Sequence, residues 1–313
     1  MKRTIVKILA VMIGAGAALL PAAAASAADA QAIDVILNGK KIAFTDARPI
    51  SDHGRVLVPL RVVSENLGAK VDYKNNVVSI SQGTKTIGLT IGSKTATVGG
   101  KSVTLDSPPY VKSSRVYVPL RFVSEQLGQK VEWDDIDHYV WIGDKSIPLL
   151  DDVVKEAEPL TRYVNLFGKT DSIWLDDAKF RDGFKVLNMS DLPVSVIENN
   201  GLAPNTVIYN VWSETFKGEP LDGETVIKVR YSGYHLGIVY LLGDGIPRGR
   251  TNLVAQRVKN PDGSFTATFL LKDSGDGYRL GVKDWDSIKP TDIKYILLLL
   301  DSESYVMIEN PFK

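Results

Sequence analysis

The sequence predicts two unlike parts. The first is an α+β N-terminal domain of antiparallel strands with two short helices, made by internal duplication. The second is a mainly β C-terminal domain, a sandwich or jelly-roll-like arrangement. Three observations lead there. One stretch is written twice at a constant offset of 60 residues: Val-Leu-Val-Pro-Leu-Arg-Val-Val-Ser-Glu-Asn-Leu-Gly from Val56 to Gly68, and Val-Tyr-Val-Pro-Leu-Arg-Phe-Val-Ser-Glu-Gln-Leu-Gly from Val116 to Gly128. Carried on to Val71 and Val131, the copies share 12 of 16 positions, which marks an internal repeat. Beyond Thr161 the stretch does not recur, and strand-length apolar runs separated by Gly-, Pro- and Asp-containing turns take over. Ahead of Ile33 stands a start that belongs to neither part.

That start reads as a secretory signal over residues 1–28. Lys2, Arg3 and Lys7 are basic, Ile8 to Leu20 is apolar with small residues, and Ala25-Ser26-Ala27 offers a small-residue cleavage site. The apolar stretch is too short and too rich in Ala and Gly to favour a membrane span, so no span is expected once the signal is removed. About 285 of the 313 residues would remain, enough for two domains. No cysteine occurs, which excludes disulfides, thiolate metal sites and a cysteine nucleophile. A secreted chain without cysteine suits the bacterial envelope or extracellular space. Basic and acidic residues balance at 37 each, and no long basic run comes after the signal, so nucleic acid is not an expected partner.

Each copy of the repeat reads as strand, turn, helix and stop. Val56 and Val58, like Val116 and Val118, place β-branched side chains at every second position. Pro59 and Pro119 end the strand and suit a first helical position. Leu60, Val63 and Leu67 then form an apolar stripe on about two helical turns. Gly68 and Gly128 fit the left-handed residue just past a helix end. Arg61 and Arg121 lie four residues before Glu65 and Glu125 and can pair with them. Hairpins flank each signature: Val35–Leu37 with Ile42–Phe44 around Asn38-Gly39, and Thr95–Val98 with Val103–Leu105 around Gly99-Gly100, come before. Val71–Tyr73 with Val77–Ile80, and Val131–Trp133 with Tyr139–Ile142, come after. Thr86 to Ile91 joins the two units.

Asn38-Gly39-Lys40, the doubled Val-x-Val-Pro-Leu-Arg-x-Val-Ser-Glu-x-Leu-Gly, Ile91-Gly-Ser-Lys94 and Gly99-Gly-Lys101 together resemble the copper amine oxidase N-terminal (stalk) domain family. The resemblance covers residues 33–145. It implies a non-catalytic stalk, common in secreted proteins of Gram-positive bacteria beside wall-binding or enzymatic domains. The oxidase chemistry implied by the family's name resides in a separate domain with three copper-binding histidines and a quinone-forming tyrosine in an Asn-Tyr-acid context. This chain has only His53, His138 and His235, none in a His-x-His pair, and no Asn-Tyr dipeptide. No amine oxidase catalytic domain, copper or other cofactor is expected.

Asp134, Asp135, Asp137 and His138 crowd one hairpin loop, where oxygen ligands could hold a divalent cation; a solvated turn is the commoner outcome, and no metal site is assigned. His53, in a Ser-Asp-His-Gly-Arg turn, aligns with Ser113 and reads as exposed. Residues 147–160 read as a linker helix, with Leu149, Leu150, Val153, Val154 and Ala157 on one face and Pro159 breaking it.

In residues 161–313, strand-like runs fall at Thr206–Trp212, Glu224–Tyr231, Leu236–Leu242, Leu253–Val258, Phe265–Leu271, Ile293–Leu300 and Tyr305–Ile308. Ile296 to Leu300 is continuously apolar, as in a strand buried on both faces. Gly243-Asp-Gly245 and Asp273-Ser-Gly-Asp276-Gly277 read as plain turns. Trp174, Trp212, Trp285 and most of the tyrosines lie in this part, and aromatic faces pack well on pyranose rings. Trp174 and Tyr234, flanked by turn residues, are the candidate ligand-binding aromatics. No nucleophile elbow, zinc-helix motif or phosphate loop occurs, and no catalytic residue is assigned.

The expectation is therefore a secreted, non-catalytic cell-envelope protein whose stalk module presents a β-rich domain that binds a cell-wall polymer or extracellular polysaccharide. An extracellular hydrolase with its active site in the C-terminal domain, and a purely structural adhesion or assembly protein, are the alternatives.

Overall fold

The hairpins that flank each signature do not pair within their own copy; they pair with those of the other. The computed structural model describes residues 32–168, 183–197, 205–219, 221–233, 235–250, 257–300 and 304–313. The leader segment, Trp174 and Tyr234 lie outside them. The first hairpin is β1 (Asp34–Leu37) and β2 (Lys40–Lys41). The predicted arm Ile42–Phe44 lies just past β2, although the Ile42 amide still donates to Val35 O at 2.8 Å. Then come β3 (Ile50–Asp52), β4 (Arg55–Pro59), α1 (Leu60–Asn66), β5 (Lys70–Lys74), β6 (Val77–Gln82) and β7 (Lys85–Thr90). The second copy supplies β8 (Thr95–Val98), β9 (Lys101–Thr104), β10 (Tyr110–Lys112), β11 (Arg115–Pro119), α2 (Leu120–Gln126), β12 (Val131–Asp134) and β13 (Tyr139–Ile142).

Strands β4 and β11 lie antiparallel with Val58 opposite Val118, Leu57 opposite Pro119 and Pro59 opposite Tyr117. Residues that correspond in the repeat thus face one another, so an approximate two-fold axis runs between the signatures. About it, one sheet runs β5-β6-β7-β8-β9 and its counterpart runs β12-β13-β1-β2. The second has no equivalent of β7. With that antiparallel spacer missing, β13 pairs directly and in parallel with β1, Tyr139 opposite Asp34. The other pairings of this part are antiparallel, as expected. Short strands β3 and β10, not anticipated, complete hairpins with β4 and β11.

Leu60 and Val63 of α1 with its C-cap Leu67, and Leu120 and Val123 of α2 with its C-cap Leu127, are buried in one core with Val35, Val58, Ile80, Leu89 and Val140. Pro59 and Pro119 stand one position earlier than predicted, as extended N-cap residues with φ near −60°. Gly68 and Gly128 take φ of +76° and +92°, and the amides of Gly68 and Ala69 close back on Glu65 O and Ser64 O. The exposed carbonyl ends are then capped from one hairpin. Gln82 Nε2 donates to Leu67 O at 2.5 Å, and Lys85 Nζ to Leu127 O at 2.9 Å. Arg61 and Arg121 reach Glu65 and Glu125 at 3.8 and 4.0 Å on exposed faces.

One buried pair runs against this economy. The hydroxyls of Ser64 and Ser124 are buried without a hydrogen-bond partner. Ser64→Ala and Ser124→Ala are each expected to raise stability by about 1 kcal/mol in urea melts, because an unmet hydroxyl costs about that much to bury. A loss of similar size at either position would show that the hydroxyl is bonded in solution.

The linker is not one helix. A single turn, α3 (Leu150–Val153), leads into extended chain at Val154, and Glu158 exchanges backbone hydrogen bonds with Phe184 at 2.8 and 2.9 Å. A four-residue helix has no stability of its own. Leu150, Val153 and Val154 instead sink into the C-terminal core, which decides the local conformation.

The C-terminal part holds α4 (Val164–Phe167), β14 (Val186–Leu187), β15 (Val194–Val196), β16 (Thr206–Thr215), β17 (Thr225–Tyr231), β18 (Gly237–Leu241) and β19 (Arg248–Arg250). Next are β20 (Val258–Lys259), β21 (Phe265–Leu270), α5 (Ser274–Leu280), β22 (Tyr295–Leu299) and β23 (Tyr305–Glu309). Two five-stranded sheets, β15-β16-β17-β21-β20 and β14-β23-β22-β18-β19, face each other. Ile208, Val211, Ile227, Val229 and Phe269 from one meet Ile238, Tyr240, Ile296, Leu298 and Val306 from the other. The expected β-rich part is present. Its hairpins β16–β17, β18–β19, β20–β21 and β22–β23 each stay within one sheet.

Strand β22 is buried on both faces, as its continuous apolar run required. Ile296 and Leu298 enter the inter-sheet core, while Leu297 joins Tyr163, Phe167, Phe184 and Met307 in a second cluster outside the sheet. Most of the predicted run Leu253–Val258 falls outside the described residues. Strands β14, β15 and β19 were not foreseen, being two or three residues long, and Asp273–Gly277 opens helix α5 instead of a plain turn.

Candidate functional site

A cleft of about 800 Å3 opens where β18, β19, β22 and β23 end, walled by the segment after α5 and by the C-terminal residues. Its charged lining comprises Asp244, Asp284, Asp292 and Glu309 against Arg248, Lys283, Lys294 and Lys313. Ser287, Thr291, Asn310 and Tyr295 add uncharged hydrogen-bonding groups. Four acids meet four bases, so the cleft carries no formal net charge.

Several of these groups are already engaged. Arg248, at the floor, donates from Nη1 and Nη2 to Asp244 at 3.1 and 2.5 Å. Burial pushes Asp244 up, but the Arg248 hydrogen bonds outweigh it and hold the carboxyl below its ordinary value. Tyr295 donates to Glu309 at 3.2 Å, and burial, reinforced by that carboxylate, raises the phenol. The cleft's groups are suited to forming hydrogen bonds.

Behind the floor lies a buried charge ladder. Arg250 donates from Nη1 and Nη2 to Asp276 at 3.0 and 2.6 Å, and Arg248 Nε approaches the same carboxylate at 3.6 Å. Arg250 also donates to Leu270 O and Leu271 O, and its guanidinium lies 5.3 Å from the Tyr240 ring centre. Asp276 sits in the middle of α5, so the ladder fixes that helix to the sandwich. Trp285, from the segment that walls the cleft, packs on the same helix. A Cβ at Gly277 would fall 2.5 Å from the indole, so only glycine admits the ring there.

The acidic loop before β13 has a different fate from either reading of it. Asp134 and Asp137 both accept from Arg230 Nη1, at 2.7 and 2.5 Å, and Asp262 accepts from Nη2 at 2.6 Å. Arg230 Nε donates to Ser264 at 3.0 Å, and the guanidinium lies 4.6 Å from the Tyr209 ring centre. The loop therefore plugs onto the second sheet system. Neither a solvated turn nor a cation site describes it. Asp137 is fully buried, and burial drives its carboxyl up to about 6 despite the attraction of Arg230. Arg230, lowered by burial but raised further by its carboxylates, is held firmly charged. Tyr139 Oη donates to Tyr209 O at 3.0 Å and Lys41 Nζ to Met189 O at 3.2 Å across the same junction.

Among the described residues, no group of three or more His, Asp or Glu is arranged to hold a metal. His53 is exposed at a tight turn beside Asp52, as read, with the same φ of +48° as its counterpart Ser113. His138 stacks on Trp133 at 5.7 Å, far in sequence from His235. Pro59, Gly68, Pro119 and Gly128 bound helices α1 and α2, whereas Arg61 and Arg121 lie exposed beside Glu65 and Glu125. Trp212 is half-buried and donates to Glu214 at 2.9 Å. Arg248, which lines the cleft, and Arg250 and Asp276 behind it were not anticipated. The available signal was Arg-Gly-Arg beside an apolar strand, which carries no distinctive spacing.

The N-terminal part is thus a duplicated, two-fold-related module of short hairpins and helices, built of structural residues. Residues 36–142 match the family model of the copper amine oxidase N-terminal domain. The match begins in β1 and ends in β13, the two strands that close the module by pairing with each other. It covers none of the cleft. No curated protein matches the chain.

Proposed function

We propose that this is a secreted, non-catalytic cell-envelope protein in which the stalk-like module holds a β-rich part that binds a neutral glycan. The observation that carries the reading is the cleft at the end of the sandwich. It offers hydrogen-bonding groups of both signs in equal number, with Arg248 and Asp244 already paired to each other. A polyhydroxylated, uncharged ligand matches such a lining better than an ion does. The N-terminal match supports a stalk-like role, and the basic, apolar, small-residue start of the chain supports export.

Co-sedimentation of the mature chain with cellulose, xylan, chitin and purified Gram-positive cell wall tests the proposal. Retention on at least one polymer without release of reducing sugar is the expected result. Release of sugar would turn the reading to a hydrolase, and no retention on any polymer would turn it to a structural role.

A further inference from the structure

Three carboxylates share one guanidinium where the N-terminal module meets the C-terminal part. Arg230, almost completely buried, pairs with Asp134 and Asp137 from the acidic loop before β13 and with Asp262 from the β20–β21 turn. With all four groups ionised, three negative charges against one positive leave a surplus of two. Asp262 is 43% exposed and keeps water on one side, whereas Asp137 is completely buried. A buried charge without its own counter-ion is costly, so the surplus weighs most on Asp137.

Two routes relieve it. Either the carboxyl keeps a proton, or the loop leaves its seat and the ionised group reaches water. The first is open in acid, where burial, against the opposing pull of Arg230, raises the Asp137 carboxyl to about 6. The groups that face Asp137 do not remove the surplus at higher pH. Its own loop supplies Asp134 and His138, the latter stacked on Trp133 at 5.7 Å. Strand β17 supplies Arg230, the β20–β21 turn Asp262, and β16 the Tyr209 phenol and the Asn210 side chain. Arg230 is the one permanent cation among them. Beyond them, on β1, Asp34 acts on Tyr139 and is itself paired with Lys41 at 2.9 Å. Two further ties across the junction, Tyr139 Oη to Tyr209 O and Lys41 Nζ to Met189 O, end on backbone carbonyls, which do not titrate.

We infer that the acidic loop before β13 is a pH-dependent latch between the two parts, seated on Arg230 in mild acid and released locally, with the rest of the fold intact, as the surroundings become neutral. The stalk-like module then grips the β-rich part more firmly in acid than at neutral pH.

Hydrogen exchange read by mass spectrometry on the full mature chain tests the latch. Peptides from the loop report its seating, and peptides from β22 report global unfolding. The Ile136 and Asp137 amides, which donate to Asp134 Oδ1 at 3.0 and 3.4 Å, are the reporters in the loop. Parent is compared with Asp137→Asn, which stays uncharged at every pH, so the intrinsic pH dependence of exchange cancels. The parent-to-variant ratio of loop exchange should rise roughly fiftyfold from pH 4 to pH 7.5, as a carboxyl at 3.8 when released and about 6 when seated requires. The loop should also be less protected than β22 at each pH. Histidine titrates in this range too, so His138→Asn is the control, asparagine tolerating the φ of +54° found there; the rise should persist in it. A ratio independent of pH overturns the latch, as does a dependence that disappears in His138→Asn. Equal protection of loop and β22 overturns it as well, since the loop would then open only when the whole chain unfolds. If Asp137→Asn does not fold, the parent's own loop exchange, corrected for base catalysis, carries the same expectation.

Discussion

Replacing Arg230 with leucine is expected to cost about 3–5 kcal/mol of folding stability, the usual result of removing one partner from a buried ion pair. The guanidinium is almost completely buried and joins Asp134 and Asp137 of the N-terminal module to Asp262 and Ser264 of the C-terminal part. Taking it away leaves Asp137 fully buried with its main counter-charge gone. A urea titration of Arg230→Leu at pH 7 reads the loss directly. Adding Asp137→Asn to the same chain should recover part of it, giving a coupling energy that separate, independent sites would not show. A loss below about 1 kcal/mol would mean that the junction is solvated and the cluster carries little weight.

Stability should also fall as pH rises from about 4 to about 6, by as much as roughly 3 kcal/mol through Asp137 alone. The sign depends on where the proton is held. Burial lifts this carboxyl from an ordinary 3.8 to about 6, so in that window the folded chain binds a proton that the unfolded chain has released. Stability is therefore highest below the unfolded value and declines until the folded value is passed. The charge count agrees, since three carboxylates surround one guanidinium and the most deeply buried is the one that retains a proton. Other carboxylates shift the opposite way: Asp244 and Asp262 lie below their ordinary values and lose their contribution only in stronger acid. Comparing parent with Asp137→Asn cancels those terms. The difference in unfolding free energy should slope with pH between 4 and 6 and flatten above it; a difference independent of pH would sink the assignment.

The N-terminal module was largely legible because its instructions are local and given twice. Pro59 stops a strand, Leu60, Val63 and Leu67 define a buried stripe, and Gly68 adopts the left-handed turn that ends the helix. That Val58 pairs with its counterpart Val118 was not read from the repeat; the structure shows it. The parallel contact of β1 with β13 was not legible, because it arises from a strand that the second copy lacks. In the C-terminal part, long runs such as β17 and β22 announced themselves, whereas β19 and α5 did not. Arg248, Arg250 and Asp276 look like surface residues in a sequence, and their meeting depends on which strand edge lies beside which loop.

The sequence by itself determined the duplicated module, the β character of the C-terminal part and the twice-buried strand β22, since alternation, helical spacing and turn residues act within a few positions. Tertiary structure alone decided that the acidic loop is a plug around Arg230, that the linker dissolves into the core, and that a glycine-rich turn becomes a clamped helix bearing Tyr278. For the linker the reason is apolar burial of Leu150, Val153 and Val154 in a core built by distant strands; for the other two it is charge. A charge is placed by partners distant in the chain, at 93 residues between Asp137 and Arg230 and 26 between Arg250 and Asp276, and no local pattern encodes such a meeting.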